Sequence, residues 1–447
     1  MVSVRRDVRV ACSGMVVVMR RLKRNRMLAG FVAVAVLVPS VALATHTFSD
    51  VPDGTYYTGA VEWAADNGIT TGTSATTFSP DDPVTRAQNV TFAHRYDQNI
   101  VQPALAAIRQ SPDRVVWVAD DSSGDFLLLS AALASIGDAD ASNPYVVRIA
   151  PGEYTETSPV ALKTYVDVEG SGQGVTTITC ACGNSSADGA AATVSAGDIV
   201  AEIRHLTINN TGGDSYSNGV WTEDVVDGSV SMLHVTATAT GGTSYNFGVR
   251  NASSSPSMTD VTATASGGTR NRGVYNWSSS PSMTNVTATG TDGTNSNYGV
   301  YNSSSSPSMT NVTATGTGTG GTSNYGVRNE ESSPTMNNVT ATATGGGNSN
   351  YGVYNYDSSS PSMTDVTATA TGGTNNRGVR NAFSSSPSIR NSSITGDDYS
   401  IYNSGTSSAH VADTMLDGTV VAGGGLACVG AYTDAFVELD SSCAVIP

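Results

Sequence analysis

The sequence predicts a mainly β fold: a right-handed parallel β-helix with three strands per coil of about 26 residues and an N-terminal capping helix, preceded by a small helical module. Two observations carry this. Gly-Val-(Tyr/Arg)-Asn recurs from Gly248, Gly273, Gly299, Gly326, Gly352 and Gly378, at spacings of 25, 26, 27, 26 and 26 residues. Ser-Pro-(Ser/Thr)-(Met/Ile) recurs in step, with prolines at Pro256, Pro281, Pro307, Pro334, Pro361 and Pro387, each followed by an Asp or Asn and in most copies by Val-Thr-Ala-Thr. Each unit therefore holds three short extended stretches separated by turns. It has no helical period, is too short for a propeller blade and lacks the leucine framework of leucine-rich repeats.

The chain opens on a pattern that reads as an export signal over residues 1–44. Arg20, Arg21, Lys23, Arg24 and Arg26 are basic, Met27–Val38 is an apolar run of 12 residues, and Ala42-Leu43-Ala44 is a small-x-small cleavage site. Met19 is an alternative start. The run is short for a membrane span, and no later stretch could cross a bilayer. Without residues 1–44 the chain carries 14 basic and 37 acidic residues, a net charge of −23. That balance disfavours nucleic acid and anionic membranes as partners. Charged residues are 13% of the whole chain, about half the usual share, with Ser, Thr, Asn and Gly in their place.

Residues 45–97 read as a compact helical module. A helix over Thr58–Asn67 places Ala60, Val61, Ala64 and Ala65 on one face beside Tyr57 and Trp63, and Gly68 ends it. Thr85 caps a second helix, Arg86–Tyr96, with Gln88 at the capping-box position. The landmarks Phe48-Ser49-Asp50-Val51-Pro52, Ala60-Val61-Glu62-Trp63-Ala64, Gly68-Ile69-Thr70-Thr71-Gly72, Phe78-Ser79-Pro80 and Val84-Thr85-Arg86-Ala87-Gln88 occur in that order. This segment resembles an S-layer homology domain. The resemblance implies docking to cell-wall polysaccharide through Arg86, with Thr85 and Trp63 beside it. Gln88 stands where the family has Glu, and one copy stands where the family has three, which leaves two alternatives: a homo-oligomer, such as a trimer, assembled through this module, or a module that serves only as a fold. Residues 98–113, punctuated by Gln102-Pro103 and Ser111-Pro112, read as a linker.

The β-helix is expected over residues 114–443, with repeats over about 212–405 and a degenerate first copy around Gly219-Val220-Trp221. Arg114–Ala119 and Tyr145–Ala150 read as strands. Between them Phe126–Ile136 reads as an amphipathic helix with Leu127, Leu128, Ala131, Ala132 and Ile136 on its apolar face, able to plug an open β-helix end. The run from Val147 to Glu156, then Gly170-Ser171-Gly172 and Thr176-Thr177-Ile178, resembles the opening of pectin-lyase-like β-helix proteins, pectinesterases in particular. That resemblance implies a polysaccharide-active fold, but neither Gln-Asp-Thr nor Asp-Phe-Ile-Phe-Gly occurs after it.

Within a coil, Val286 and Ala288 should point inward and Thr287 and Thr289 outward. Stacked coils place Asn276, Asn302, Asn329, Asn355 and Asn381 in one amide ladder, and Asp260, Asn285, Asn311, Asn338, Asp365 and Asn391 in a second at a tight turn. Of the cysteines after residue 44, Cys428 and Cys443 are expected to bridge at the C-terminal end, whereas Cys180 and Cys182 would be strained as a pair, and the sequence leaves open whether they are bridged or reduced.

The residue after each repeat Val reads Arg250, Tyr275, Tyr301, Arg328, Tyr354 and Arg380, with Tyr402 after them. Outward at rung spacing, these form a strip able to hold carbohydrate by ring stacking and donor contacts, with Tyr301 and Tyr354 as anchors and Arg328 between them. The acidic pairs Asp224/Asp227, Glu330/Glu331 and Asp397/Asp398 read as surface charges, and no catalytic residue, metal ligand or cofactor site is assigned. The expected function is that of a secreted, cell-envelope-associated protein acting by binding or display toward cell-wall or extracellular polysaccharide. A pectin lyase- or esterase-like enzyme is the alternative. A second alternative is an ice-binding or purely structural surface-layer protein, because Thr262/Thr264 through Thr367/Thr369 form two outward rows resembling those of β-helical ice-binding proteins.

Overall fold

A computed structural model describes residues 47–101, 114–226, 228–319 and 323–446. The export signal over residues 1–44, most of the linker and Asp227 lie outside them. The chain divides into two compact units, within residues 1–104 and 105–447.

The N-terminal unit has helices Thr58–Asp66 and Arg86–Tyr96, the latter running into a π-helical turn, Asp97–Val101. Its core is Phe48, Val51 and Val61, with the Phe48 and Phe78 rings 5.7 Å apart. The Asp50 carboxylate accepts from the backbone N–H of Phe78 (2.8 Å) and Ser79 (2.7 Å), tying the first landmark to the fourth. These bonds to the ionised form hold its pKa below the usual carboxylate range. Gly68, at φ 68°, ends the first helix where the sequence places the stop. Thr85 and Gln88 form the expected capping box. One detail differs from expectation: Ala60 is exposed rather than on the buried face. The second helix buries none of its residues.

The second unit is a parallel β-solenoid of about ten turns. Its first strands, Val115–Val118 and Tyr145–Ile149, pair in parallel, and the helix Leu129–Ser135 packs into the core beside them. The helix is shorter than expected because Leu128 stays extended (φ −133°, ψ 146°). Counting from Leu129, the inward positions at i, i+3, i+4 and i+7 are Leu129, Ala132, Leu133 and Ile136, all buried. Leu127 and Ala131, expected on that face, are exposed.

Each repeat runs through a long strand such as Arg270–Trp277, a short one such as Ser282–Thr284, and a third such as Thr287–Thr291. The next coil stacks on it with every column in step: Val274 on Val300, Met283 on Met309, Ala288 on Ala314. The core is thus built of stacked Val, Met and Ala columns, and the small Ala keeps it narrow. Val286 and Ala288 are buried, while Thr287 is exposed and Thr289 half-exposed.

Both amide ladders form. Asn251, Asn276, Asn302, Asn329, Asn355, Asn381 and Asn403 are fully or almost fully buried, each amide donating to the next at 2.7–2.9 Å. The second ladder sits at a left-handed kink. Asp260, Asn285, Asn311, Asn338, Asp365 and Asn391 have φ of 46–56°, which Asn and Asp tolerate better than branched residues. His205 and His234 occupy the same turn in the preceding coils. A third ladder was not read from the sequence. Asn246, Asn271, Asn297, Asn324, Asn350 and Asn376 are buried and linked at 3.0–3.3 Å. The serines before each proline form further rungs, Ser279 N–H donating to Ser305 Oγ and Ser305 N–H to Ser332 Oγ.

Cys428 and Cys443 are bridged, as expected. Cys180 and Cys182, whose state the sequence leaves open, are bridged as well. The chain leaves the strand Thr176–Cys180 at once, so both side chains turn inward and the Cα atoms lie 5.1 Å apart, within disulfide reach.

Candidate functional site

In the N-terminal unit, Trp63 is half-exposed and its ring lies 6.4 Å from that of Tyr96. Arg86 is exposed at the first position of the second helix, and the Thr85 hydroxyl is committed to the cap. Arg86 and Trp63 are therefore open to solvent, while Thr85 acts by fixing the helix start.

On the solenoid, parallel register places Arg250, Tyr275, Tyr301, Arg328, Tyr354, Arg380 and Tyr402 in one column, with Arg328 between Tyr301 and Tyr354 as the sequence indicates. The column continues from Trp221 and spans roughly 29 Å from Arg250 to Tyr402, at ~4.8 Å per coil.

A second column of the same chemistry runs beside it: Phe247, Arg272, Tyr298, Tyr325, Tyr351, Arg377 and Tyr399. It arises from the repeat Gly, which interrupts the register between the two positions. A Cβ on Gly299 would lie 2.3 Å from the Thr315 nitrogen, so only Gly lets the long strand meet the third strand there. The residue before Gly and the second residue after it then share one face. Simple alternation counted from Val misses the first of these. The signal was present, because the residue before each Gly is also Phe, Tyr or Arg.

The two columns interlock. Tyr298 and Tyr301 lie 5.2 Å apart, Tyr298 and Tyr325 4.6 Å, and Tyr351 and Tyr354 5.1 Å. The Arg272 guanidinium sits 4.3 Å from the Tyr275 ring and 4.8 Å from Tyr301, Arg328 5.0 Å from Tyr301, and Arg380 4.8 Å from Tyr354. The Tyr351 hydroxyl accepts from Arg380 (2.7 Å) and Arg377 (3.1 Å). Tyr301 donates to Glu330, which also pairs with Arg328 at 2.8 Å.

This packing corrects the expected role of Tyr301 and Tyr354. They are only 9% and 7% exposed, and their ring faces are covered by neighbouring rings and guanidinium groups. A ligand can meet their edges but not stack on them. Open ring faces occur at the rim instead. Trp277 (45% exposed) lies in register two residues beyond the column, and Phe383 (62% exposed) packs edge-on at 4.8 Å against Tyr356, which is itself half-buried with the Arg328 guanidinium 5.6 Å from its ring. The turns carrying Tyr356 and Phe383 are each one residue longer than those of other copies, and Phe383 is held at φ 54°.

Burial pushes the phenols of Tyr301, Tyr325 and Tyr354 up from their ordinary value, and pushes the Arg250 guanidinium down to about 10. Unfolded phenols release their protons near pH 10. The stability these three tyrosines contribute is therefore complete below that pH and is lost as pH rises through their folded values. Arg250 acts in the opposite sense above pH 10, one group against three. Spectrophotometric titration should show a late-ionising set of tyrosines that joins the ordinary set on unfolding, with a melting temperature that falls above pH 10. A single phenolate transition at the free-tyrosine position would contradict this burial.

The acidic residues of the described pairs are engaged locally. Glu330 is held by Arg328 and Tyr301, Asp397 accepts from Gly372 N–H, and Asp398 accepts from Asn376 N–H at 2.6 Å. Among the described residues, no group of three or more His, Cys, Asp or Glu could hold a metal ion, and no helix is long and apolar enough to cross a membrane.

A comparison with curated proteins finds no match. Among solved structures, pectin methylesterase from carrot is similar at 15% identity over 71% of this chain and 87% of its own, with a TM-score of 0.32. A mannuronan C-5 epimerase A-module from Azotobacter vinelandii is 15% identical over 70% of this chain and 88% of its own, with a TM-score of 0.41. Tailspike protein 3 of bacteriophage CBA120 is 12% identical over 73% of this chain and 58% of its own, with a TM-score of 0.34. Residues 47–88 match the S-layer homology domain family, and the C-terminal unit is a parallel β-solenoid.

Proposed function

We propose that this is a secreted, cell-envelope-associated protein whose S-layer homology segment anchors it, and whose solenoid binds polysaccharide along the Tyr/Arg face. The S-layer homology match suggests envelope anchoring, with exposed Arg86 and Trp63 as the wall contacts. The observation that carries the solenoid's role is the double Tyr/Arg column itself. It is linear, repeats coil by coil along the axis and presents hydroxyl and guanidinium edges to solvent, which suits a linear, repeating polymer. Trp277 and Phe383 supply ring faces at its rim.

The test is retention of the full chain on purified cell wall together with binding to a glycan array. Arg86→Ala should lower wall retention and leave the array profile intact. Trp277→Ala combined with Phe383→Ser should weaken array binding about tenfold, the loss expected from removing open stacking surfaces. Absence of any glycan binding by the unaltered chain would sink the reading of the solenoid face and leave only the anchor.

The Thr face supports a second reading. Thr262, Thr287, Thr313, Thr340 and Thr367 stack without a register shift, as do Thr264, Thr289, Thr315, Thr342 and Thr369. The varying coil length is absorbed in the turns, so the face stays regular. Ice binding through it requires thermal hysteresis that Thr289→Tyr with Thr315→Tyr abolishes. Without hysteresis these are ordinary exposed strand residues.

A further inference from the structure

The first coils depart from the repeat on a different sheet from the Tyr/Arg face. Trp117, Arg148, Glu169 and Arg204 stack in register on four successive coils, all facing outward because Val118, Val147, Val168 and Ile203 point into the core. Beyond Leu233 the same row becomes Thr259, Thr284, Thr310, Asn337 and Thr364, and then a single Arg390 with no indole or carboxylate in the row beside it. The indole, the two guanidinium groups and the carboxylate are therefore confined to one end of the solenoid.

Trp117, Arg148 and Glu169 line a cleft of about 480 Å³ walled by the loop Gly170–Gly172 and by His205, with Arg204 just outside it. The wall is firmly tied. Ser171 donates through Oγ to the Ile149 carbonyl (2.9 Å) and through its N–H to Thr176 Oγ1 (2.9 Å), and Gly172 N–H donates to the His205 carbonyl (2.8 Å). The His205 ring is stacked on His234 at 5.0 Å. The cleft is thus preformed and has the volume of a small-ligand site. Trp117 keeps 47% of its surface exposed, with the Arg148 guanidinium 5.8 Å from its ring.

The charges decide what such a cleft takes. Arg148 pairs with Glu169 at 3.5 Å, and Arg204 pairs with Glu202 at 2.5 Å, Glu169 at 3.0 Å and Asp167 at 3.8 Å. Within the lining Arg148 is matched by Glu169, and Arg204, Glu202 and Asp167 beside it add one net negative charge at the cleft's edge. An incoming carboxylate or phosphate meets repulsion there. An uncharged ligand with a flat apolar face and several hydroxyls meets none. Its face can lie on the indole, its O–H groups can donate to Glu169, and its oxygens can accept from the half-exposed Arg148. We propose that this cleft is a separate saccharide-binding site, selective for an uncharged sugar, built on Trp117, Arg148 and Glu169.

The test is isothermal titration calorimetry of the full chain with cellotetraose, chitotetraose and maltotetraose, and with tetragalacturonate as the charged counterpart. At least one neutral tetrasaccharide should bind with a Kd in the millimolar range or tighter. Trp117→Ala should weaken that binding about tenfold or more, Trp117→Phe should weaken it less, and Arg148→Ala should weaken it while leaving the melting temperature unchanged. Tetragalacturonate should show no binding that depends on Trp117. The proposal is overturned if no neutral tetrasaccharide binds, if Trp117→Ala and Arg148→Ala both bind like the unaltered chain, or if Trp117 serves tetragalacturonate instead. These variants lie on a different sheet from Trp277 and Phe383, so this site and the Tyr/Arg face can fail independently.

Discussion

Replacing Asn329 with leucine should destabilise the solenoid by about 4 kcal/mol, because two buried polar groups lose their partners at once. Asn329 is fully buried in the middle of its ladder. Its Oδ1 accepts from Asn302 at 2.9 Å and its Nδ2 donates to Asn355 at 2.9 Å. Leucine matches the volume but offers neither group. The Asn302 donor and the Asn355 acceptor then stay in a dry interior, each costing about 1–3 kcal/mol. The exposed ladder provides the comparison. Asn311 also bonds to both neighbours, at 3.0 Å to Asn285 and 2.8 Å to Asn338, but it faces water and has φ 55°. Asn311→Gly keeps that conformation accessible and should cost less than about 1 kcal/mol. Urea unfolding monitored by circular dichroism measures both. Hydrogen exchange across Ser323–Glu330 localises the effect, since a stacked-repeat protein need not unfold in one step. Equal midpoints for the two variants would refute the role given to the buried ladder.

Gly299→Ala should also be strongly damaging, at about 3 kcal/mol, through overlap with atoms that cannot move aside. The added methyl would lie 2.3 Å from the Thr315 nitrogen, 2.5 Å from the Ala314 carbonyl carbon and 2.7 Å from the Gly326 oxygen. All three are backbone, so relief requires prising the long strand from the third strand of its coil. Such a shift also breaks the alignment of Tyr298 with Tyr301. Gly137→Ala is the control, as nothing lies within 4 Å of its added methyl. Expression, melting temperature and near-ultraviolet circular dichroism of the tyrosine array would be read together. A Gly299→Ala protein with the melting temperature of the Gly137→Ala protein would mean that the narrow contact is not obligatory.

The periodicity was legible because it is local. A spacing of about 26 residues, with Val, Met and Ala alternating against Thr, tells each side chain which way to point before any partner is known. The columns through Asn276 and Tyr301, the kinked ladder at Asn285 and the outward rows at Thr287 and Thr289 could all be read by stacking identical copies. The Thr85–Gln88 cap and the Gly68 stop were legible for the same reason, since both are set within one turn of chain.

The sequence by itself therefore determined the solenoid, its register and the chemistry of the columns that simple alternation reaches, but not the third Asn ladder or the column from Phe247 to Tyr399. Only the tertiary structure decided which of those columns a ligand can reach. Whether Tyr301 offers its ring depends on Arg272 and Arg328 in the coils on either side, and the break in alternation at Gly299 brings Tyr298 beside it. Trp117 and Arg204 lie 87 positions apart in the chain, in coils that share no repeat, and nothing local brings them to one row. Direction along a strand is a property of the strand. Exposure is a property of what the neighbouring coils place on top of it.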